Sequence, residues 1–248
     1  MNKIGILDSG LGGLTVMREM RRLMPTVEMI YLADTKGLPY GDKTPQEIQK
    51  LIIKPLDFFG KMQVDLLVIA CHTISCTHLN TVKNTFLGKV LGISETTQEL
   101  LTKYSKIKEM AIIGTKATIE SDVYQKTLSK ACPHINFFSI ACPLFVPLIE
   151  EGRLIDPDVV IDCITKTLGP LKSQNPYLEK ILLACTHFDL ISNEIDNFFG
   201  VPNICVNPAK QCALMAHLLS GKQASKQIIT KNSNLKFFVS GDAFKFAH

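Results

Sequence analysis

Leu66-Leu67-Val68-Ile69-Ala70-Cys71-His72-Thr73 and Ile181-Leu182-Leu183-Ala184-Cys185-Thr186-His187 share one pattern. Each is an apolar run of strand length, an Ala-Cys pair at its carboxyl end, and a short polar segment opening a helical pattern. Such a run reads as a strand buried on both faces, the usual state of strands in a parallel sheet. Apolar runs at 3–7, 28–32, 64–70, 89–93, 110–114, 135–140, 180–184 and 203–206 alternate with amphipathic helical segments. That alternation predicts an α/β fold with parallel sheets and crossover helices. In open sheets of this class ligands sit outside the carboxyl ends of the strands. Two similar lobes facing each other would therefore aim Cys71 and Cys185 at one cleft. Pro45 fits the start of a helix over 44–59, and Pro55 inside it predicts a kink or break.

Composition bounds the class. The chain has 248 residues, 46% hydrophobic and 20% charged, which is a globular balance rather than a disordered one. Residues 1–10 run straight into a strand pattern with no signal-peptide character, and no apolar stretch approaches the roughly eighteen residues of a membrane span. No membrane partner and a cytoplasmic location are expected. A net charge of +4 without a clustered basic face argues against nucleic acid as a partner. Arg18, Arg21 and Arg22 read as a solvated helix face, and with Arg153 they are the only arginines. Anionic groups of a substrate would then meet backbone amides and hydroxyls rather than several guanidinium forks. Eight cysteines without a secretory signal read as reduced thiols.

Three segments hold candidate chemistry. Asp8-Ser9-Gly10-Leu11-Gly12-Gly13-Leu14-Thr15 is a glycine-rich turn after the first strand. It lacks the third Gly of a dinucleotide fingerprint and contains no phosphate-loop Lys. Asp8 and Ser9 suit a small zwitterion, or else a simple cap over a tight turn. The loop from Asp34 to Gly41, with Leu38-Pro39-Tyr40-Gly41, lies at the same predicted edge. Cys71, Cys76, His72 and His78 invite a zinc reading. At 3.6 residues per turn, however, Cys71 and Cys76 stand about 140° apart on a helix and do not converge, so no metal is expected. Cys76 reads as core and His78 as helix surface. Cys71 and Cys185, at strand-to-helix turns, suit thiolate chemistry. One thiolate would be a nucleophile; two across a cleft suit removal of a proton from one face of a carbon and delivery to the other. His187 is placed to activate Cys185, to bind substrate, or to serve structure alone.

These segments, with Leu32-Ala33-Asp34, Gly114-Thr115-Lys116-Ala117-Thr118, Ser121 and Tyr124, Leu144-Phe145-Val146-Pro147-Leu148-Ile149-Glu150-Glu151-Gly152, Cys185-Thr186-His187-Phe188 and Ser240-Gly241-Asp242, run across nearly the whole chain. Together they resemble the glutamate racemases of the cofactor-independent aspartate/glutamate racemase family. The resemblance implies an isomerase with no cofactor, interconverting L- and D-glutamate and supplying the D-form for peptidoglycan and cell shape. It implies two α/β lobes, 1–94 plus 208–248 and 95–207, with the active site between them, and a homodimer. Cys71 and Cys185 would be the acid and base pair, Asp8 supporting the first, His187 and Glu150 the second. Ser9, Pro39, Tyr40, Gly41, His72, Thr73, Thr115, Thr118 and Thr186 would line the substrate site with Asp8 and His187.

The chain departs from the family pattern at three places. His72 stands where the family has Asn, Asp189 where it has Pro, and Glu95-Thr96 where it has Glu-Pro. His72 either contacts substrate, lowers the Cys71 pKa, or blocks the site. The alternatives are a racemase of the same fold acting on aspartate or another amino acid, and a catalytically silent regulatory binding protein. A thiol hydrolase fits less well, for want of an oxyanion hole.

Overall fold

The structure is a computed structural model that describes residues 3–221 and 234–242. Its strands are β1 (Lys3–Asp8), β2 (Glu28–Ala33), β3 (Leu66–Ile69), β4 (Lys89–Gly92), β5 (Glu109–Gly114), β6 (Asn136–Ala141), β7 (Lys180–Ala184), β8 (Cys205–Val206) and β9 (Leu235–Val239). Its helices are α1 (Leu14–Leu23), α2 (Pro45–Lys61), α3 (His72–Thr77), α4 (Leu79–Thr85), α5 (Ile93–Leu101), α6 (Lys116–Glu120), α7 (Val123–Ala131), α8 (Phe145–Glu150), α9 (Pro157–Gln174), α10 (Ser192–Phe199) and α11 (Ala209–Ser220). The strands form two sheets, ordered β4-β3-β1-β2-β9 and β6-β5-β7-β8, with every described pairing parallel.

Alternation along each strand builds a core on both faces of each sheet. In the first sheet Ile4, Ile6, Met29 and Val68 pack beneath α1 and α11, while Leu7, Ile30 and Ile69 pack against Ile48, Ile52 and Phe59 of α2. In the second, Ile113, Ile181 and Leu183 face Leu148, Ile164 and Ile195, and Met110, Ile112 and Leu182 face Leu100 and Leu128. Register sets the active edge: Leu7 lies opposite Leu32 and Ile69, and Gly114 opposite Ala184. The carboxyl ends of neighbouring strands are thus level, and the turns after them share one rim.

The structure departs from expectation in three places. β9 was not among the apolar runs; it is a sheet-edge strand with Lys236 and Phe237 exposed, so its burial signal is weak. It returns the chain to the first sheet beside β2, while 222–233 and 243–248 of the expected 208–248 segment lie outside the described residues. α2 runs unbroken through Pro55. Pro55 sits on the buried stripe with Ile48, Ile52, Leu56 and Phe59, and that packing outweighs a lost backbone bond and ring clash of about 3 kcal/mol. His78 is buried rather than on a helix surface. α3 stops after six residues, and His78 fills the corner into α4 with Nδ1 2.8 Å from Thr77 Oγ1. Among the described residues no helix is long and apolar enough to cross a membrane.

Candidate functional site

Cys71 follows β3 at the N-cap of α3, and Cys185 follows β7 before the short turn Thr186–Ile191. Both are buried and both line one small cavity of about 10 Å³, room for about one water molecule, so the two sides stand closed on each other. Ser9, Tyr40, Gly41, His72, Thr73, Thr115, Val146, Thr186 and His187 complete its wall. The two similar strand-turn segments of the sequence, one from each sheet, therefore meet. A larger concavity along α2 and the turn before β4 is mainly apolar and far from this chemistry.

Each thiol has its own surroundings. Cys71 Sγ lies 3.7 Å from Ser9 Oγ. Burial, then the nearby Asp8 carboxylate, pushes this thiol up to about 12, with the Ile74 amide and Ser9 hydroxyl pulling the other way. Cys71 therefore rests as a neutral thiol. Cys185 Sγ lies 3.8 Å from His187 Nδ1, and His187 Nε2 lies 2.5 Å from Glu150 Oε1. Burial opposes charge on His187, but the contacts to Cys185 and Glu150 prevail and raise it to about 10. An imidazolium is thus held beside one thiol and not the other.

The glycine turn joins the two sides. Asp8 Oδ2 accepts the Gly10 and Gly13 amides at 3.2 and 3.0 Å, and Thr186 Oγ1 donates to Asp8 Oδ1 at 3.3 Å. Burial raises the Asp8 pKa against the pull of His187 and those amides. A Cβ on Gly12 would stand 2.5 Å from Thr186 Oγ1 and 2.7 Å from the His187 amide nitrogen. The glycines serve this close approach of the two sheets' turns. Opposite them, the hydroxyls of Thr73, Thr115 and Thr118 form a triangle at 3.0, 3.3 and 2.9 Å. Tyr40 is buried with its hydroxyl on Asp34.

The structure sorts the expected residues into two layers. Ser9, Tyr40, Gly41, His72, Thr73, Thr115, Thr186 and His187 line the thiol cavity; Asp8, Thr118 and Glu150 stand behind it and hold the lining. Asp8 makes its hydrogen bonds to the turn and to Thr186, while Ser9 is the hydrogen-bond partner of Cys71. Pro39 lies outside, in a neighbouring cleft with Leu11, Leu38 and Glu150. Val146 lines the cavity unexpectedly; an apolar residue at the start of a helix gives no chemical signal. Asp189, the departure from Pro, pairs with Arg18 at 3.5 Å between the Thr186–Ile191 turn and α1.

Residues 4–213 match the family described as Asp/Glu/Hydantoin racemase. The glutamate racemase of Gloeobacter violaceus is 34% identical over 244 residues, covering 98% of this chain and 89% of that protein. The crystal structure of the Campylobacter jejuni glutamate racemase superposes with a TM-score of 0.85 at 31% identity, covering 99% of this chain and 95% of the other. That of the Francisella tularensis glutamate racemase, in complex with D-glutamate, has a TM-score of 0.85 at 29% identity and covers 99% and 90%.

Proposed function

The chain belongs to the Asp/Glu/Hydantoin racemase family, and from that membership we propose that it is a glutamate racemase, an isomerase interconverting L- and D-glutamate. The observation that carries this reading is the burial of Cys71 and Cys185, one from each sheet, against one small cavity.

The chemistry requires one thiolate and one thiol. The thiolate takes the α-proton from one face of the substrate carbon. The electron pair left there delocalises into the carboxylate, and the opposite thiol delivers its proton to the other face, inverting the centre. The roles exchange for the other enantiomer. Cys71, neutral at rest, suits the acid in one direction; His187, charged and backed by Glu150, is in place to pass a proton to or from Cys185. The Ser9 hydroxyl, which accepts from Cys71 and keeps its own proton, offers a donor to charge that develops on the substrate carboxylate in a cavity with little room for water. Asp8, behind the lining, holds the glycine turn and Thr186 in place.

In this reading the lobes are 1–94 plus 208–248 and 95–207, the enzyme pairs as a homodimer, and it works in the cytoplasm to supply D-glutamate for peptidoglycan. The reaction is tested by incubating the reduced protein with L-glutamate, and separately with L-aspartate, and resolving the enantiomers by chiral chromatography. D-glutamate alone is the expected product. D-aspartate in its place would reassign the substrate, and no product from either would leave a binding protein. Sedimentation velocity tests the dimer.

A further inference from the structure

Building on the reading that glutamate enters the thiol cavity, we propose that Tyr124 locks His72 as its Nε2–H tautomer, making His72 a hydrogen-bond donor to a substrate carboxylate and Tyr124 a positioning residue. Tyr124 Oη lies 2.6 Å from His72 Nδ1, with both residues buried. So short a contact suits an O–H donor better than an N–H donor, whose bonds centre near 2.9–3.0 Å. Thr97 Oγ1 has one proton, which lies closer to the Ile93 carbonyl at 3.2 Å than to Tyr124 Oη at 3.4 Å, so it is the much shorter contact to Nδ1 that draws the tyrosine proton. Nδ1 is thereby an acceptor, and the ring's one proton falls on Nε2. Among the described residues Nε2 takes no protein partner, and it is not one of the sealed-off polar atoms left unsatisfied; it has the cavity itself to face.

The cavity needs such a donor. Among the described residues no Lys or Arg lines it. Several hydroxyls are already engaged: Thr73 and Thr115 with each other and Thr118, and Tyr40 with Asp34. The donation is a neutral one, because burial pushes His72 down to about 3 and no acidic side chain bonds to it. A neutral ring also gives Cys71 no cationic neighbour on that side. Of the three roles open to His72 from sequence, contact with substrate is the one this arrangement serves. With the ring centroids of His72 and Tyr124 5.8 Å apart, the imidazole is tied toward α7.

The test is NMR of protein labelled with ¹⁵N-histidine, the His72 signals being assigned by their loss in His72→Asn. The expected result is a neutral Nε2–H imidazole from about pH 5 to 8, well above the depressed range that burial gives this ring. Its Nε2–H proton should shift when D-glutamate is added. In Tyr124→Phe the tautomers should mix, and KM for glutamate should rise about tenfold, one hydrogen bond's worth, with kcat changed by less than about threefold. Tyr124→Phe should add nothing in a His72→Asn background. An Nδ1–H tautomer, an imidazolium, or an unmoved KM in Tyr124→Phe would overturn the proposal. The tautomer and its response to glutamate are read without turnover. Protein that binds glutamate at Nε2–H yet does not racemise it would support this assignment and contradict the proposed reaction.

Discussion

His187 Nε2 lies 2.5 Å from Glu150 Oε1, and the same oxygen accepts the Leu11 amide at 3.0 Å. One carboxylate therefore orients the imidazole beside Cys185 and ties the glycine turn of the first sheet to the second. His187 is buried and Glu150 half-buried, so loss of the carboxylate leaves a buried imidazolium without its partner, a costlier change than breaking a surface pair.

Glu150→Gln should make both stability and activity less sensitive to alkali. His187 is raised to about 10 from 6.5, so its contribution to stability is complete below about pH 6.5 and is lost as pH rises towards 10. Melting temperature should fall across that window in the wild type, and less steeply in Glu150→Gln. Equal slopes would show that the pair does not hold the proton.

His187→Asn should lower kcat/KM by about 10²-fold, the scale of a lost proton-transfer partner. The loss must be equal for L- and D-glutamate, because the enantiomers have equal free energy in water and the equilibrium constant is one. Polarimetry started from each enantiomer checks it, and an unchanged rate would assign His187 to structure alone.

Cys71→Ala and Cys185→Ala should each abolish racemisation, by about 10³-fold or more. Each variant keeps one thiol and so one reachable face. In D₂O each should exchange the α-proton of one enantiomer without inverting it, and the two variants should choose opposite enantiomers. Exchange of the same enantiomer by both would contradict the facing arrangement.

Gly12→Ala drives a methyl into the Thr186 hydroxyl and the His187 backbone. It should destabilise the protein by about 1–3 kcal/mol, as overpacking does. Activity should fall far more than that stability loss explains, since the turn carrying Cys185 must shift. Urea denaturation and initial rates on the same preparation separate the two effects; wild-type rates would mean the turns yield easily.

Where burial and polarity agree, the sequence was a good guide. The strands carrying Cys71 and Cys185 are apolar on both faces, and the polar residues after them must sit at the rim. β9 escaped because an edge strand with Lys236 and Phe237 exposed has no such run. Pro55 misled because its ring lies on the packed side of α2, a matter of tertiary contact that local rules omit. The supporting layer is hidden for a related reason. Asp8, Glu150 and Thr118 are polar residues at turns and helix ends like many others, and only folding shows that they hold Thr186, His187 and Thr115. Val146 offers the opposite case, an apolar side chain that is part of the cavity wall rather than of the core alone.

The most direct test follows L-glutamate in D₂O with the reduced wild-type protein, reading loss of the α-proton signal by NMR and optical rotation on one sample. Two facing thiols should give solvent deuterium in each inverted product, so exchange and loss of rotation start together and racemisation runs to zero rotation. Rotation lost while the α-proton is retained would contradict the two-thiol account, as would no change in either signal.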